Sequence, residues 1–244
     1  MFPKKYYKNK PNIVFDCYDT LIYKSRLKET TQKFIQDIFH IKVPLFYIDQ
    51  AFTYIYDRYK FSHPTFPNHL VRKKFYQQYN KELLAIIGFS INNSEADKLN
   101  QLINQSTYYH AFPDTKSLKN LSSKYNLHLL ANWTNTFESA LNQTSIATFF
   151  KTKLSSHELK IQKPNPKIFK ITANLINLSP ENLIYVGNDY ELDIIPARSA
   201  GWTPILIDRF NRYPKSIDCL KINSLFDLNL KIKKIYQKLK NPKK

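Results

Sequence analysis

Cysteine is almost absent from this chain of 244 residues, which contains only Cys17 and Cys219. Two thiols so far apart in sequence are too few for a disulfide framework or a metal cluster, and they agree with a reducing compartment. Long apolar runs are absent too, since no stretch approaches the roughly 18 apolar residues of a membrane span. The basic amino terminus lacks the apolar segment of a secretory signal. We therefore expect a soluble cytoplasmic protein without a membrane partner.

Glycine and acidic residues are also scarce, with three glycines and 19 Asp and Glu against 37 Lys and Arg. The formal net charge of +18 invites a nucleic-acid partner, but the lysines are scattered and no nucleic-acid-binding motif is present. The excess of Lys, Asn, Ile and Tyr over Ala, Gly and Arg is typical of an AT-rich genome. We therefore expect no nucleic-acid partner. If the positive charge has a function, it is to attract anionic substrates or polyanions.

The hydrophobic pattern predicts an α/β core interrupted by a helical insert. Residues 12–21 begin with an apolar run typical of a buried strand. Four segments with apolar residues at three- and four-residue spacing follow, and strands and helices alternate from about residue 111, which indicates a parallel sheet. The predicted core comprises residues 1–22 and 110–244, and the insert residues 23–109. The insert helices are predicted at 28–40, 47–61, 68–87 and 94–106; later strands at 127–131, 149–155, 183–186 and 204–207; later helices at 118–125, 136–144, 166–176, 193–200 and from 221 onward.

Polar side chains follow the predicted strands at four places. They are Asp16 with Thr20, Asn132, Lys163, and the acidic segment from Gly187 to Asp193. Because the carboxyl ends of parallel strands share one edge of a sheet, we expect these groups to converge there. Each also has a structural reading when taken singly: the carboxylates as helix caps or an exposed pair, and Lys163 as a solvated loop residue.

Taken together, these groups predict a phosphoryl-transfer site. Asp16 can attack a phosphoryl group or an alkyl carbon and form an ester that water cleaves. Asp189 and Asp193 would repel Asp16 unless a cation lay between them, and Mg²⁺ prefers such oxygen ligands. Lys163 would then supply a fixed positive charge, and the hydroxyl of Thr20 and the amide of Asn132 would hydrogen-bond the substrate oxygens. The expected substrate is a small anionic, phosphorylated molecule.

These motifs resemble those of the haloacid dehalogenase superfamily over nearly the whole chain. The resemblance implies a Rossmann-like core of three α/β/α layers, with the insert as a small helical cap. It also implies that Asp16 is the nucleophile, that Lys163 stabilises the intermediate, and that Asp189 and Asp193 hold Mg²⁺ together with Asp16 and the backbone carbonyl of Tyr18. The motifs are 15–21 around the nucleophile, 131–133 with Asn132, 163–169 with Lys163, and 186–193 followed by 194–197 and 200–202.

Three positions depart from the pattern of the family's phosphatases. Tyr18 stands where they usually carry a proton-donating Asp, and a phenol of pKa about 10 is a poorer acid at neutral pH. Ala131 replaces a Ser or Thr, and Asn188 stands where many members have Asp, so either Asp189 or Asp193 is the main acidic ligand. Asp19, next to the vacant acid position, is a candidate replacement for the proton donor.

Two alternatives to a Mg²⁺-dependent phosphatase remain open. The family's dehalogenases carry an aromatic residue at the position of Tyr18 and work without metal, so a metal-independent 2-haloacid dehalogenase is one alternative. The missing acid and the missing Ser or Thr also allow a catalytically degenerate protein that binds rather than reacts.

Overall fold

The computed structural model describes residues 10–62, 66 and 68–240. The basic amino terminus noted above, apart from its last residue, Lys10, lies outside these residues. Within them, none of the helices has both the length and the apolar character required to cross a membrane.

Six parallel strands form the central sheet, in the order β5-β4-β1-β6-β7-β8. The apolar run of β1 lies at the middle of this sheet between β4 and β6 and is fully buried, which is why it carries no polar alternation. The register pairs Phe15 with Leu129 and with Val186, so β6 ends one residue and β4 two residues beyond the end of β1. The strands are β1 (Asn12–Phe15), β4 (Asn126–Ala131), β5 (Thr152–Ser155), β6 (Leu183–Gly187), β7 (Thr203–Ile207) and β8 (Leu220–Ile222).

The chain divides into two compact units, one of Met1–Tyr23 with Ala111–Lys244 and the other of Lys24–His110. Their boundaries fall within β2 (Ile22–Lys24) and β3 (Tyr109–Ala111), which pair as a separate two-stranded sheet. The helices of the first unit are α5 (Leu118–Lys124), α6 (Phe137–Asn142), α7 (Ser156–Leu159), α8 (Lys167–Leu175), α9 (Ile195–Ser199) and α10 (Leu228–Lys240). One of its core clusters packs Tyr185 of β6 edge to face with Phe169 and Trp202.

The second unit contains four helices with a core of their own: α1 (Leu27–Phe39), α2 (Leu45–Tyr59), α3 (His69–Ile87) and α4 (Asn93–Ser106). Gly88 ends α3 in the left-handed conformation at φ 99°, where a side chain would be strained. A capping box of Asn92 and Glu95 begins α4. The helix predicted at 94–106 therefore begins one residue earlier, at Asn93, because Asn92 supplies the side chain that caps the backbone N–H of Glu95.

The α/β fold class is confirmed by the parallel sheet and its helices, and two predicted helices require correction. The segment predicted as a helix at 193–200 begins earlier, with a π-helical turn over Tyr190–Ile194 that precedes α9. The segment predicted as a helix from residue 221 begins as the edge strand β8, and α10 starts only at Leu228. Pairing of Leu220–Ile222 with β7 extends the sheet and buries Ile222, which a helix over these residues would forgo.

Candidate active site

Asp16 lies directly beyond β1, where its backbone N–H continues the sheet by donating to the carbonyl of Val186 at 2.9 Å. Its carboxylate is almost completely buried, with 7% of the residue exposed. A tight turn follows, in which the amides of Leu21 and Ile22 both donate to the carbonyl of Cys17. This turn brings the chain back so that the Thr20 hydroxyl donates to Asp16 Oδ2 at 2.9 Å. One oxygen of the carboxylate is therefore fixed by its own loop.

Lys163 holds the other oxygen, with Nζ 2.7 Å from Asp16 Oδ1. The same ammonium donates to Asp193 Oδ1 at 2.6 Å and to the phenol oxygen of Tyr185 at 2.9 Å. These three acceptors match the three N–H groups of a lysine. With 2% of the residue exposed, Lys163 is a fixed cation between the carboxylates of β1 and of the π-helical turn.

Asn132 positions the backbone of Lys163. Its side-chain oxygen accepts the Lys163 N–H and its amide nitrogen donates to the Lys163 carbonyl, both at 2.9 Å. This reciprocal pair fixes the loop before the cis peptide bond between Lys163 and Pro164. One N–H of the Asn132 amide is used in this way, and contact of the other with substrate oxygens stays a prediction.

Charge and burial shift the pKa values of the central groups. Burial alone would lower the pKa of Lys163, but the carboxylates of Asp16 and Asp193 outweigh it and hold the pKa well above its usual range. Burial, together with the negative charge of Asp16, raises the pKa of Asp193 to about 6 despite the opposing effect of Lys163. Burial is also the main cause that raises the pKa of the Tyr185 phenol, so this group stays a neutral hydrogen-bonding partner.

Gly187 and the π-helical turn after β6 place the acidic residues. A Cβ on Gly187 would overlap the carboxylate of Asp193, so only glycine permits this packing. Asp193 Oδ2 accepts the backbone N–H of Asp189 at 3.0 Å. Asp189 Oδ1 accepts the N–H groups of Glu191 and Leu192 at 2.9 and 2.8 Å, which caps the turn. Metal ligation by Asp189 and Asp193 stays a prediction.

Asn188 completes the site beside the nucleophile. One atom of its amide lies 3.0 Å from Thr20 Oγ1, 3.3 Å from Asp16 Oδ2 and 3.1 Å from the backbone oxygen of Tyr18. With its NH₂ group turned inward, the amide donates to these oxygens and satisfies them without a cation. With its oxygen turned inward, three acceptor oxygens face one another, which is the arrangement a cation stabilises.

The donor chemistry at this point fits Mg²⁺. Mg²⁺ is bound in proteins by one or two carboxylates with carbonyl oxygens, waters and substrate phosphate, and Asp16, the Tyr18 carbonyl and the Asn188 amide offer these oxygens. Across residues 10–62, 66 and 68–240, no group of three or more His, Cys, Asp or Glu side chains has the arrangement of a metal site. A metal here would therefore depend on amide and backbone oxygens as well as carboxylates.

Tyr18 and Asp19 lie in the turn after the nucleophile. The Tyr18 ring is half-buried and packs edge to face with Trp133, with ring centroids 6.2 Å apart. Asp19 adopts the left-handed conformation at φ 57°, and its N–H donates to the carbonyl of Ile22 at 2.7 Å. The role of Asp19 as a proton donor stays a prediction.

The predicted residues Asp16, Thr20 and Lys163 thus form one hydrogen-bonded cluster, and Asn132 and Asp193 are joined to it through Lys163. The sequence reasoning missed two members. Tyr185 was predicted only as part of an apolar strand, although a phenol in a fully buried run signals a polar partner. Arg209 donates to the carbonyl of Thr20, and its position just after β7 was the available signal.

Comparison with known proteins identifies the family. A family model described as haloacid dehalogenase-like hydrolase matches residues 13–207. Among curated proteins, the glyceraldehyde 3-phosphate phosphatase of Methanopyrus kandleri is 38% identical over 69 residues, which are 28% of this chain and 30% of that protein. The first three curated relatives are each matched over less than half of their length, from 30% to 46%.

Two solved structures show the same fold at low sequence identity. The magnesium-bound HAD-hydrolase YfnB of Bacillus subtilis has a TM-score of 0.67 at 18% identity, over 91% of this chain and 98% of that one. The 2-haloacid dehalogenase of Pseudomonas syringae has a TM-score of 0.57 at 18% identity, over 93% and 100%. With the family model matching well over half of the sequence, the resemblance is confirmed: the chain belongs to the haloacid dehalogenase-like hydrolase family.

Proposed function

We propose that this hydrolase is a Mg²⁺-dependent phosphatase that acts on a small phosphorylated metabolite through an aspartyl-phosphate on Asp16. One observation carries the proposal. Lys163 and Thr20 hold the carboxylate of Asp16, and its Oδ2 atom lies close to the Tyr18 carbonyl and the Asn188 amide. Support also comes from the relatives named as glyceraldehyde 3-phosphate phosphatases and from the magnesium bound by the YfnB hydrolase.

The proposed reaction consists of two nucleophilic displacements at phosphorus. An Asp16 oxygen attacks phosphorus, forming an O–P bond while the bond to the leaving oxygen breaks, and the leaving oxygen takes a proton from water or from Asp19, the predicted donor. Water then attacks phosphorus, the ester bond to Asp16 breaks, and inorganic phosphate leaves. Lys163 and Thr20 each hold one oxygen of the Asp16 carboxylate in place, and Lys163 balances charge on the transferred group. Asp16, Tyr18 and Asn188 would hold Mg²⁺, with Asp189 and Asp193 as the predicted acidic neighbours, and the bound ion supplies further charge neutralisation.

A metal-independent dehalogenase is the second candidate, and two observations favour it. With its NH₂ group turned inward, Asn188 satisfies Asp16 and the Tyr18 carbonyl without a cation. The aromatic ring of Tyr18 beside Trp133 supplies an apolar surface for the haloalkyl part of such a substrate. In that reaction Asp16 would displace halide from carbon, and water would cleave the resulting ester.

Hydrolysis of an aryl phosphate with and without Mg²⁺ tests the proposal. We expect Mg²⁺-dependent release of phosphate that falls by at least about a thousandfold in Asp16→Asn, because no other group replaces the nucleophile. Asp227→Asn is the matched control, since Asp227 is exposed in the 3-10 turn just before α10, and it should retain full activity.

Other outcomes separate the alternatives. Halide release from a 2-haloacid without metal, lost in Asp16→Asn, would replace the phosphatase by the dehalogenase. Absence of both Asp16-dependent reactions would leave the degenerate binding protein, and salt-sensitive binding to RNA or DNA would identify its partner.

A further inference from the structure

We propose that Arg209 is a positioning residue. It holds the backbone of Thr20, and Thr20 in turn holds the nucleophile, Asp16. The inference rests on the proposed function, because it concerns the alignment of Asp16 in that reaction. Neither the motifs of the family nor the predicted site includes this arginine.

The contact between Arg209 and the nucleophile loop is bidentate. Nε and Nη2 of Arg209 donate to the carbonyl oxygen of Thr20 at 3.0 and 2.7 Å. The hydroxyl of the same Thr20 donates to Asp16 Oδ2 at 2.9 Å. Thr20 thus links the two residues, because its carbonyl is held by Arg209 and its hydroxyl holds the Asp16 carboxylate. Movement of the Thr20 carbonyl would therefore move the carboxylate.

The guanidinium is itself held in place. Nη1 of Arg209 donates to Asp114 Oδ2 at 2.7 Å, and only 8% of the arginine side chain and 7% of the aspartate side chain are exposed. Asp114 Oδ2 also accepts from the hydroxyl of Ser224 at 2.6 Å and from the N–H of Leu225 at 2.8 Å. The guanidinium carbon lies 4.1 Å from the centre of the Phe112 ring. These contacts hold the guanidinium group of Arg209 in one orientation.

The planar fork of arginine is required for this geometry. It presents two parallel donors to one carbonyl while a third donor reaches the carboxylate, whereas the ammonium of lysine is a compact point charge on a flexible stem. Without these donors the buried carbonyl of Thr20 loses both partners, and the turn from Asp16 to Leu21 gains freedom. A shift of about 1 Å at a reacting group costs on the order of a hundredfold in rate.

Arg209→Met and Arg209→Lys test the proposal, with Arg198→Met as the matched control. Arg198 is also an arginine paired with an aspartate, Asp218, but its side chain is 43% exposed. We expect kcat to fall by about 10- to 100-fold in Arg209→Met while KM changes less than about threefold, with Arg209→Lys intermediate. Millimolar guanidinium should restore kcat to Arg209→Ala, and the same concentration of potassium chloride should not.

A second measurement keeps the inference separate from the phosphatase proposal. Hydrogen exchange at the amides of Leu21 and Ile22, which donate to the Cys17 carbonyl, reports the order of the nucleophile loop whatever reaction the site performs. We expect faster exchange there in Arg209→Met and Arg209→Lys, and no change in Arg198→Met. A wild-type protein without hydrolase activity would defeat the phosphatase proposal, and the exchange rates would still decide whether Arg209 holds the loop.

Two results would overturn the inference. One is a folded Arg209→Lys protein with the wild-type kcat and unchanged exchange at Leu21 and Ile22. The other is a loss of activity that follows only the folded fraction, with wild-type kcat per folded molecule and no rescue by guanidinium, because that pattern indicates a role in stability alone.

Discussion

Among single residues, Tyr185 shows how a buried polar group in a strand can serve the site. Its hydroxyl lies 2.9 Å from Lys163 Nζ and 3.1 Å from the carbonyl of Leu130. It thereby ties the ammonium to β4 as well as to the two carboxylates. Lys163 is aimed at Asp16 because its other two N–H groups have fixed acceptors in Tyr185 and Asp193.

Tyr185→Phe should lower kcat by about tenfold and the free energy of unfolding by about 1–2 kcal/mol. The change leaves one N–H of the buried ammonium without its acceptor, and such a loss costs about 1–3 kcal/mol. Steady-state kinetics with an aryl phosphate and urea unfolding measure the two effects. Tyr125→Phe is the control, since Tyr125 is also buried and donates to Asn229 Oδ1 at 3.0 Å; we expect it to lose stability with unchanged kcat. Equal kcat in Tyr185→Phe and wild type would contradict this role for the phenol.

Some residues of the site can be predicted from the sequence, and others cannot. Asp16, Lys163 and Thr20 were found because each follows a predicted strand or lies in a turn beside one, and a parallel sheet brings such positions together. Tyr185 and Asp114 were not found, because their roles depend on which side chain of a distant segment lies opposite them. The position of Arg209 just after β7 marks it as a candidate, but no spacing along the chain encodes its pairing with Thr20.

At the scale of single elements, strand β4 carries an ionisable group among its buried side chains. His128 is 5% exposed, with its Nε2 3.3 Å from Asn12 Oδ1. Burial, with a smaller effect of Lys151, lowers the pKa of His128 to about 4. Because the folded state binds this proton less tightly than the unfolded state, His128 contributes stability above pH 6.5 that is lost as the pH falls from 6.5 through 4.

His128→Gln should therefore flatten the dependence of stability on pH. Linkage with pKa values of 6.5 unfolded and about 4 folded makes the wild type lose about 2 kcal/mol between about pH 7 and pH 5 through this residue. Urea unfolding at a series of pH values measures the loss in both proteins. His69, which is exposed at the start of α3, provides the control substitution His69→Gln, with the wild-type slope. A slope in His128→Gln as steep as that of the wild type would show that other groups cause the loss.

The elements themselves were predicted best where a pattern was long. The four insert helices and the central strands appear within a few residues of their predicted limits, because apolar spacing repeats over several turns or fills a whole strand. The errors lie in short segments. Leu220–Ile222 is too short for its alternating pattern to stand out from the helical spacing of the residues that follow, and its pairing with β7 makes it a strand. The π-helical turn at Tyr190–Ile194 arises from the packing of Asp193 against Gly187 and the cap by Asp189, which periodicity does not encode.

At the scale of the whole molecule, the two units have separate hydrophobic cores. The helical unit, Lys24–His110, buries a cluster of its own that includes Phe34, Ile55 and Leu84. Its two ends are joined, since the N–H of Ser25 donates to the carbonyl of Tyr108 at 2.9 Å. A segment with its own core and adjacent ends has the properties of an inserted domain.

We therefore predict that residues 24–110 fold as an independent helical domain when expressed alone. The reason is that its core requires no side chain from the rest of the chain, and domains of about 55–65 residues already suffice for independent folding. Circular dichroism should show a helical spectrum and one cooperative thermal transition. Ile55→Asp, which puts a charge at a position with 0% exposure, should abolish that transition, while Asp57→Asn on an exposed turn of the same helix should leave it intact. A fragment that unfolds without cooperativity would show that the helices depend on the α/β core, and that the insert is an elaboration of one domain.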